Sequence, residues 1–409
     1  MPKSTCADRR LTIENLENRQ LLAGDVMVDV SRGNLVIVGD EADNQLHISS
    51  GQSPGEYMIV GLPGPDGTET TINGQTEPLV VNNAFRSVRV ATGDGNDVVD
   101  ISHANFRHLD VHTGPGDDIV RLGLAPNGPG PEDPNTVETD LAGETDPTAP
   151  AIEPSVTVRG RLRIGTGEGN DTVVERHLRV GRSQAIHTGE GDDNVILDPP
   201  NDSPVPPDQG ETAEATGQGD APPTTRPGGP QPSIQIGRGL KIGTGAGNDN
   251  VMLHGVDAGS IHIRAEAGDD TVALNHVHSR HGLSIGTDGG DDTVALNHVH
   301  SRRGLSIGTD GGDDTVVMNQ VHSRWAWVKT GADSDRVELR DSAFAVLGSF
   351  LGDGDDALHL AGTTVGRVAL LSGGPGTDEL LQDADTHLAH ARIAGFELPP
   401  SSDDEEVPV

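Results

Sequence analysis

From residue 88 onward, apolar and polar residues alternate on both sides of a glycine-rich turn, and the pattern returns every 21 or 22 residues. The turn reads T-G-x-G-x-D, and its last Asp falls at 97, 118, 171, 193, 249, 270, 292, 314, 335, 356 and 378. Nine and seven residues before that Asp stand Leu109/Val111, Leu162/Ile164, Leu240/Ile242, Leu283/Ile285 and Leu305/Ile307. Two and four residues after it stand Val99/Ile101, Val120/Leu122, Val195/Leu197, Val272/Leu274 and Val294/Leu296. Period-two alternation around a turn predicts strand, turn, strand with one face buried. A shorter third strand is marked by Val256, Val277, Val299 and Val321. Residues 269–290 and 291–312 are the same 22-residue unit with one change, His281 becoming Arg303. Self-similarity at a fixed period means stacked structural units. The expected fold is all-β, a right-handed parallel β-helix or β-solenoid with 21–22-residue coils and three short strands per coil. The hand follows from the preference of parallel crossovers.

Two gaps between turns are long, 53 and 56 residues, and each is one period plus an insertion. Residues 125–155 and 199–233 are rich in Pro, Gly, Thr and acids, a composition that predicts disorder. Val156 and Ile234 take up the third strand again, so both insertions are loops thrown from one corner and not linkers between domains. Residues 88–397 form the repeat region. Residues 25–87 read as irregular N-terminal capping coils, with strands expected on either side of an acidic turn at residues 40–44. Residues 1–24 stand outside the repeat as a sorting or cap segment, and 398–409 are an acidic tail.

Composition agrees with a solenoid. Five Phe, two Trp, one Tyr and 55 Gly cannot build an ordinary aromatic core, but each coil of a solenoid buries only a thin aliphatic layer. A net charge of −36 argues against nucleic acid and anionic membranes as partners and favours cations. One cysteine, Cys6, excludes an intrachain disulfide. No apolar run is long enough to span a membrane, and no standard secretory signal opens the chain.

The turn Thr92-Gly-Asp-Gly-Asn-Asp97 resembles the G-G-x-G-x-D-x-U-x nonapeptide of the hemolysin-type, RTX-like calcium-binding repeat, with Thr in the first Gly position. That resemblance implies Ca2+ as cofactor, held by Asp97, Asp118, Asp171, Asp193, Asp249, Asp270, Asp292, Asp314, Asp335 and Asp356. Carboxylates are hard oxygen donors of the kind calcium takes. Stacked at about 4.8 Å, they would repel one another without a counter-ion. Gly and Asp are also plain turn formers. Near the N-terminus, Leu16, Glu17, Arg19, Leu21, Leu22 and Ala23 fit the LEPR-xLL segment of planctomycete surface and secreted proteins, with Asn18 where that pattern has Pro. This resemblance implies an extracellular or cell-surface address.

Three further features stand out. His276/His298 and His278/His300/His322 form outward rows, read as a solvated face with metal or pH chemistry as the sharper alternative. Asn275, Asn297 and Asn319 align as a corner ladder. Trp325 and Trp327 should both point outward, fit to stack on sugar rings or a partner. The expected function is a secreted or surface calcium-binding protein with a structural, adhesive or matrix role, its partners calcium ions and surface polysaccharide or matrix proteins. The alternative is a polysaccharide-active β-helix enzyme of lyase or epimerase type. Against it, the chain has three lysines (Lys3, Lys241, Lys329), and a residue present in every coil is scaffold, so no catalytic residue is assigned.

Overall fold

The computed structural model describes residues 24–65, 67–84, 86–124, 155–198 and 233–397. These residues are all-β, a solenoid of about eleven turns with coils of about 22 residues and no helix among them. One sheet stacks the strands that follow each turn, among them Gln45–Ser50, Val98–Ile101, Ile119–Leu122, Thr172–Glu175, Asn194–Leu197 and, at the far end, Glu379–Gln382. The other sheet stacks the strands before the turns together with the short third strands. In early coils these are separate, as in Ala104–Phe106 and Leu109–His112. In later coils they run together as single bent strands such as Val256–Ala267 and His322–Ala332.

Register is kept residue for residue in the sheet that follows the turns, while the other sheet slips at two bulges, between Ile236 and Gly239 and between Phe344 and Val346. Val251, Val272, Val294, Val316, Val337 and Leu358 pair in succession, so like side chains stack into columns. The inward columns are shut off from solvent along their length, which is how a chain so poor in aromatics builds a core. One coil departs most from the aliphatic pattern. Glu175 and Gln184 occupy positions where other coils hold Leu, and they meet inside, Gln184 Nε2 donating to both Glu175 oxygens at 2.6 Å. Burial pushes the Glu175 carboxyl up to about 7.

The flanks of both insertions hold the register. Val156 pairs with Ala104 on one side and Leu178 on the other, and Arg179 pairs with Gln235. The insertions proper, the N-terminal segment 1–23 and the tail from 398, on which the expectations of disorder, sorting and an acidic tail fall, lie outside the described residues. The N-terminal cap is more regular than the sequence pattern indicates. Asn34–Val38 and Gln45–Ser50 already pair in parallel with Ser87–Ala91 and Val98–Ile101, forming a first coil in full register. Antiparallel strands Asp25–Ser31 and Tyr57–Gly61 then cover its two sheets.

Candidate functional site

Seven of the eleven turns are built by two glycines whose φ lies far on the positive side, for example Gly114 at 114° and Gly116 at 136°. A Cβ on Gly114 would lie 2.0 Å from the carbonyl oxygen of Gly93 in the coil before. Glycine is therefore required twice, by dihedral and by the close approach of stacked backbones.

This geometry turns the last Asp inward. All eleven are at most 2% exposed. Each Oδ1 accepts the backbone N–H of the equivalent Asp in the preceding coil, at 2.8–3.1 Å, from Asp97 through to Asp378. The ladder has a cap at each end. The N–H of Asn44 donates to Asp97, and the N–H of Asp378 donates to Glu397. It runs unbroken across both insertions.

The second oxygen tells the rest. Oδ2 of all eleven Asp is buried and has no hydrogen-bond partner. In eight of the eleven coils a Thr stands five residues earlier, where the calcium nonapeptide has its first Gly, and is itself buried beside the carboxyl. Its hydroxyl holds the carboxyl pKa down somewhat, yet it is directed at a carbonyl of the next coil, as Thr92 is at Thr113 O. Burial dominates. It pushes Asp97, Asp118, Asp171, Asp270 and Asp335 up to about 7, and Asp193, Asp249 and Asp292 up to about 6. Asp314, Asp356 and Asp378 are raised for the same reason.

The residue before the inner Asp lies outside, in a second column that runs the other way. There the N–H donates to the side chain of the preceding coil: Asn96 to Asp43, Asp117 to Asn96, Asn170 to Asp117, Asp192 to Asn170. In sequence the two acids stand side by side, as in Asp117/Asp118 and Asp192/Asp193. The structure separates them into a buried column that takes up protons near neutrality and an exposed one in which Asn alternates with Asp. Through the duplicated coils that alternation ends, and Asp269, Asp291 and Asp313 follow one another. The same coils replace the first turn glycine by acids at positive φ, Glu266, Asp288 and Asp310, and in the coil that follows Asp333 stands in place of the second. Glu266, Asp288 and Asp310 went unnoticed in the sequence, where the signal was the loss of a glycine that the turn otherwise demands. Carboxylate density is highest here, with Asp291 and Asp313 both raising Asp314.

The donor set on this edge is all hard oxygen, and one buried oxygen per coil lacks a partner. That fits a cation of the calcium class. Among the described residues, no three His, Cys, Asp or Glu side chains converge as a ready-made metal cluster.

The other marked residues lie elsewhere. His276 and His298 stack at 4.6 Å on a corner where both take positive φ, so this row serves a backbone bend as well as facing outward. His278, His300 and His322 follow at 5.3 and 6.4 Å. The Asn ladder is present, with Asn297 Nδ2 donating to Asn275 and Asn319 Nδ2 to Asn297. Trp325 and Trp327 are half-exposed; Trp325 lies over Gly304, and Trp327 lies over Gly348 and stacks on Phe350.

A family model described as Planctomycete extracellular matches residues 7–26, a short stretch at the N-terminus that corresponds to the LEPR-xLL-like segment. No curated protein and no solved structure gives a match. No helix among the described residues is long and apolar enough to cross a membrane. An all-β solenoid and an extracellular-type N-terminal segment are together compatible with a secreted structural protein.

Proposed function

We propose that the chain is a secreted or cell-surface β-solenoid with a structural, adhesive or matrix role, and that calcium along the turn edge stabilises it. The observation that supports calcium is the column of buried, partnerless Oδ2 atoms, one per coil from Asp97 to Asp378. A buried polar atom without a partner is costly, and either a proton or a cation relieves it. Calcium would lie against the inner Asp, with the outer acids of the duplicated coils supplying further oxygens. Its role there is charge neutralisation, not catalysis. The protein is read as non-catalytic because the acids recur in every coil.

An ion that binds only the folded chain stabilises it by about 2.7 kcal/mol per independent site at a hundredfold excess over Kd. At pH 8 the melting temperature should therefore climb with millimolar CaCl2 and much less with NaCl of equal ionic strength. The triple variant Asp270→Asn, Asp292→Asn, Asp314→Asn should lose part of that calcium-specific rise, while its metal-free form is no less stable than the parent. Asn44 already occupies the column and donates to Ala42 O, so an amide is tolerated there. Equal responses to sodium and calcium would leave only screening and sink the calcium reading.

A further inference from the structure

The chain carries a net charge of −36, yet one corner of the solenoid is basic. This corner joins the third strand to the strand before the turn, and it is not the corner that holds the acidic turns. A groove of about 760 Å3 lies there, walled on one side by the loop from Ser50 to Gly55 and on the other by Arg107, His108, Arg159 and Arg182. A second depression of about 450 Å3 adjoins it, sharing His108 and Arg182 and adding Arg89, Arg161 and Arg163. Six arginines thus face one carboxylate, Asp110.

All six arginines are exposed, and none makes an ion pair or a side-chain hydrogen bond within the described residues. That contrasts with Arg280 further along the same corner, which pairs with Asp257 at 3.3 Å. Stacking brings the six together, since Asp110 is flanked in register by Arg89 and Arg163. His108 is set between them. Its ring lies over Gly160, where a Cβ would be 2.3 Å from the imidazole, and its Nδ1 accepts the backbone N–H of Arg161. Nε2 is then the protonated nitrogen of a neutral ring. Burial and the neighbouring Arg107, Arg182 and Arg161 lower its pKa, so it serves as an uncharged donor among charges.

We infer that this arginine groove is a binding site for an extended anionic polysaccharide, with sulfate or carboxylate groups on the guanidiniums and sugar hydroxyls on Gln52, Asn105 and His108 Nε2. Guanidinium forks suit planar or tetrahedral oxyanions, and they repeat along the corner at the spacing of the coils. The groove does not suit nucleic acid. Its two aromatic rings, Tyr57 and Phe106, are buried against each other at 5.2 Å and offer no face to a base. The inference goes beyond the calcium reading and does not depend on it, because the two edges share no residue.

The test uses the full chain at pH 7.5 in 50 mM NaCl, titrated with heparin as a sulfated polymer, polygalacturonate as a carboxylated one, neutral dextran and double-stranded DNA. Saturable binding to either anionic glycan, weakening as salt rises, is expected, with none to dextran. Sulfate or carboxylate specificity follows from which glycan binds more tightly. The variant Arg107→Gln, Arg159→Gln, Arg182→Gln should weaken binding by roughly tenfold or more at unchanged melting temperature. Arg302→Gln, Arg303→Gln, Arg324→Gln, further along the same corner, should bind as the parent does. Absence of glycan binding, equal losses in the two variants, or DNA binding as tight as that of the glycans would each overturn the assignment.

Discussion

A single aspartate explains most of what the turn edge can do. Its Oδ1 belongs to the backbone ladder, and its Oδ2 is buried with nothing to accept. An ordinary Asp titrates near 3.8, whereas burial places most of this column at about 6 to 7. The folded chain therefore holds protons that the unfolded chain releases. That stabilisation is fully present below about pH 4 and is lost as the pH rises through the folded values. The metal-free protein should accordingly melt higher at pH 5 than at pH 8, with the fall complete once the folded values of about 6 to 7 are passed, the reverse of a protein whose carboxylates are salt-bridged. Calorimetry in chelator across that range is the check. The Asp270→Asn, Asp292→Asn, Asp314→Asn variant should show a shallower slope, because three of the titrating groups are gone. A flat or rising profile for the parent would mean that the carboxyls are satisfied in some other way. Calcium competes with protons for the same oxygens, so its stabilising effect should grow over the interval in which the metal-free protein weakens.

At the scale of the coil, the glycines are structural in a way that can be measured. Gly191 has φ of 130°, and a Cβ there would stand 2.1 Å from the carbonyl oxygen of Gly169. Gly191→Ala must therefore move backbone, and it should cost at least about 2 kcal/mol. Gly286 lies on the outer face with its nearest neighbour 3.9 Å away, and Gly286→Ala should stay within about 0.5 kcal/mol of the parent. Urea melts of the two variants compare them directly; similar losses would show that the turn glycines are replaceable. Coils, strands and inward columns were legible because both halves of each coil alternate with period two around a fixed turn. Less legible was anything that depends on direction across the stack. The pattern shows that Asp97 and its equivalents recur, but not that Oδ1 points along the axis to the preceding coil. It shows Asp117 beside Asp118, but not that the turn sends one outward and the other inward. The Arg corner was missed for a related reason. Arg107, Arg159 and Arg182 lie up to 75 residues apart, with an insertion between the first two, and only the register of stacked coils makes them neighbours.

The whole molecule is a one-dimensional stack, and its stability should be a sum of coils and nearest-neighbour contacts. Each coil contributes the same edges, acids at the turn and, in the N-terminal half, arginines at another corner, so charge is sorted by edge despite the strong net negative value. Insertions in such a stack should be thermodynamically cheap if the strands on either side already pair in register. Here they do, Val156 with Ala104 and Leu178, and Arg179 with Gln235. The sequence gives the lengths to remove: 53 − 22 = 31 residues from the first long gap and 56 − 22 = 34 from the second. Joining Gly123 to Ser155 and Asp198 to Ser233 deletes those numbers and returns both coils to 22 residues. Both junctions already have positive φ on their N-terminal side, 83° at Gly123 and 55° at Asp198, as the corner residues His177 and His276 do elsewhere at 46° and 53°. Closing a loop costs about 0.6 kcal/mol per doubling of its length. The doubly shortened chain should therefore keep its far-UV β signal, melt at or above the temperature of the parent, and retain its full response to calcium. A loss of β structure or a fall in melting temperature of more than about 5 °C would mean that the inserted segments hold the coils together, and that the stack is not carried by its own columns.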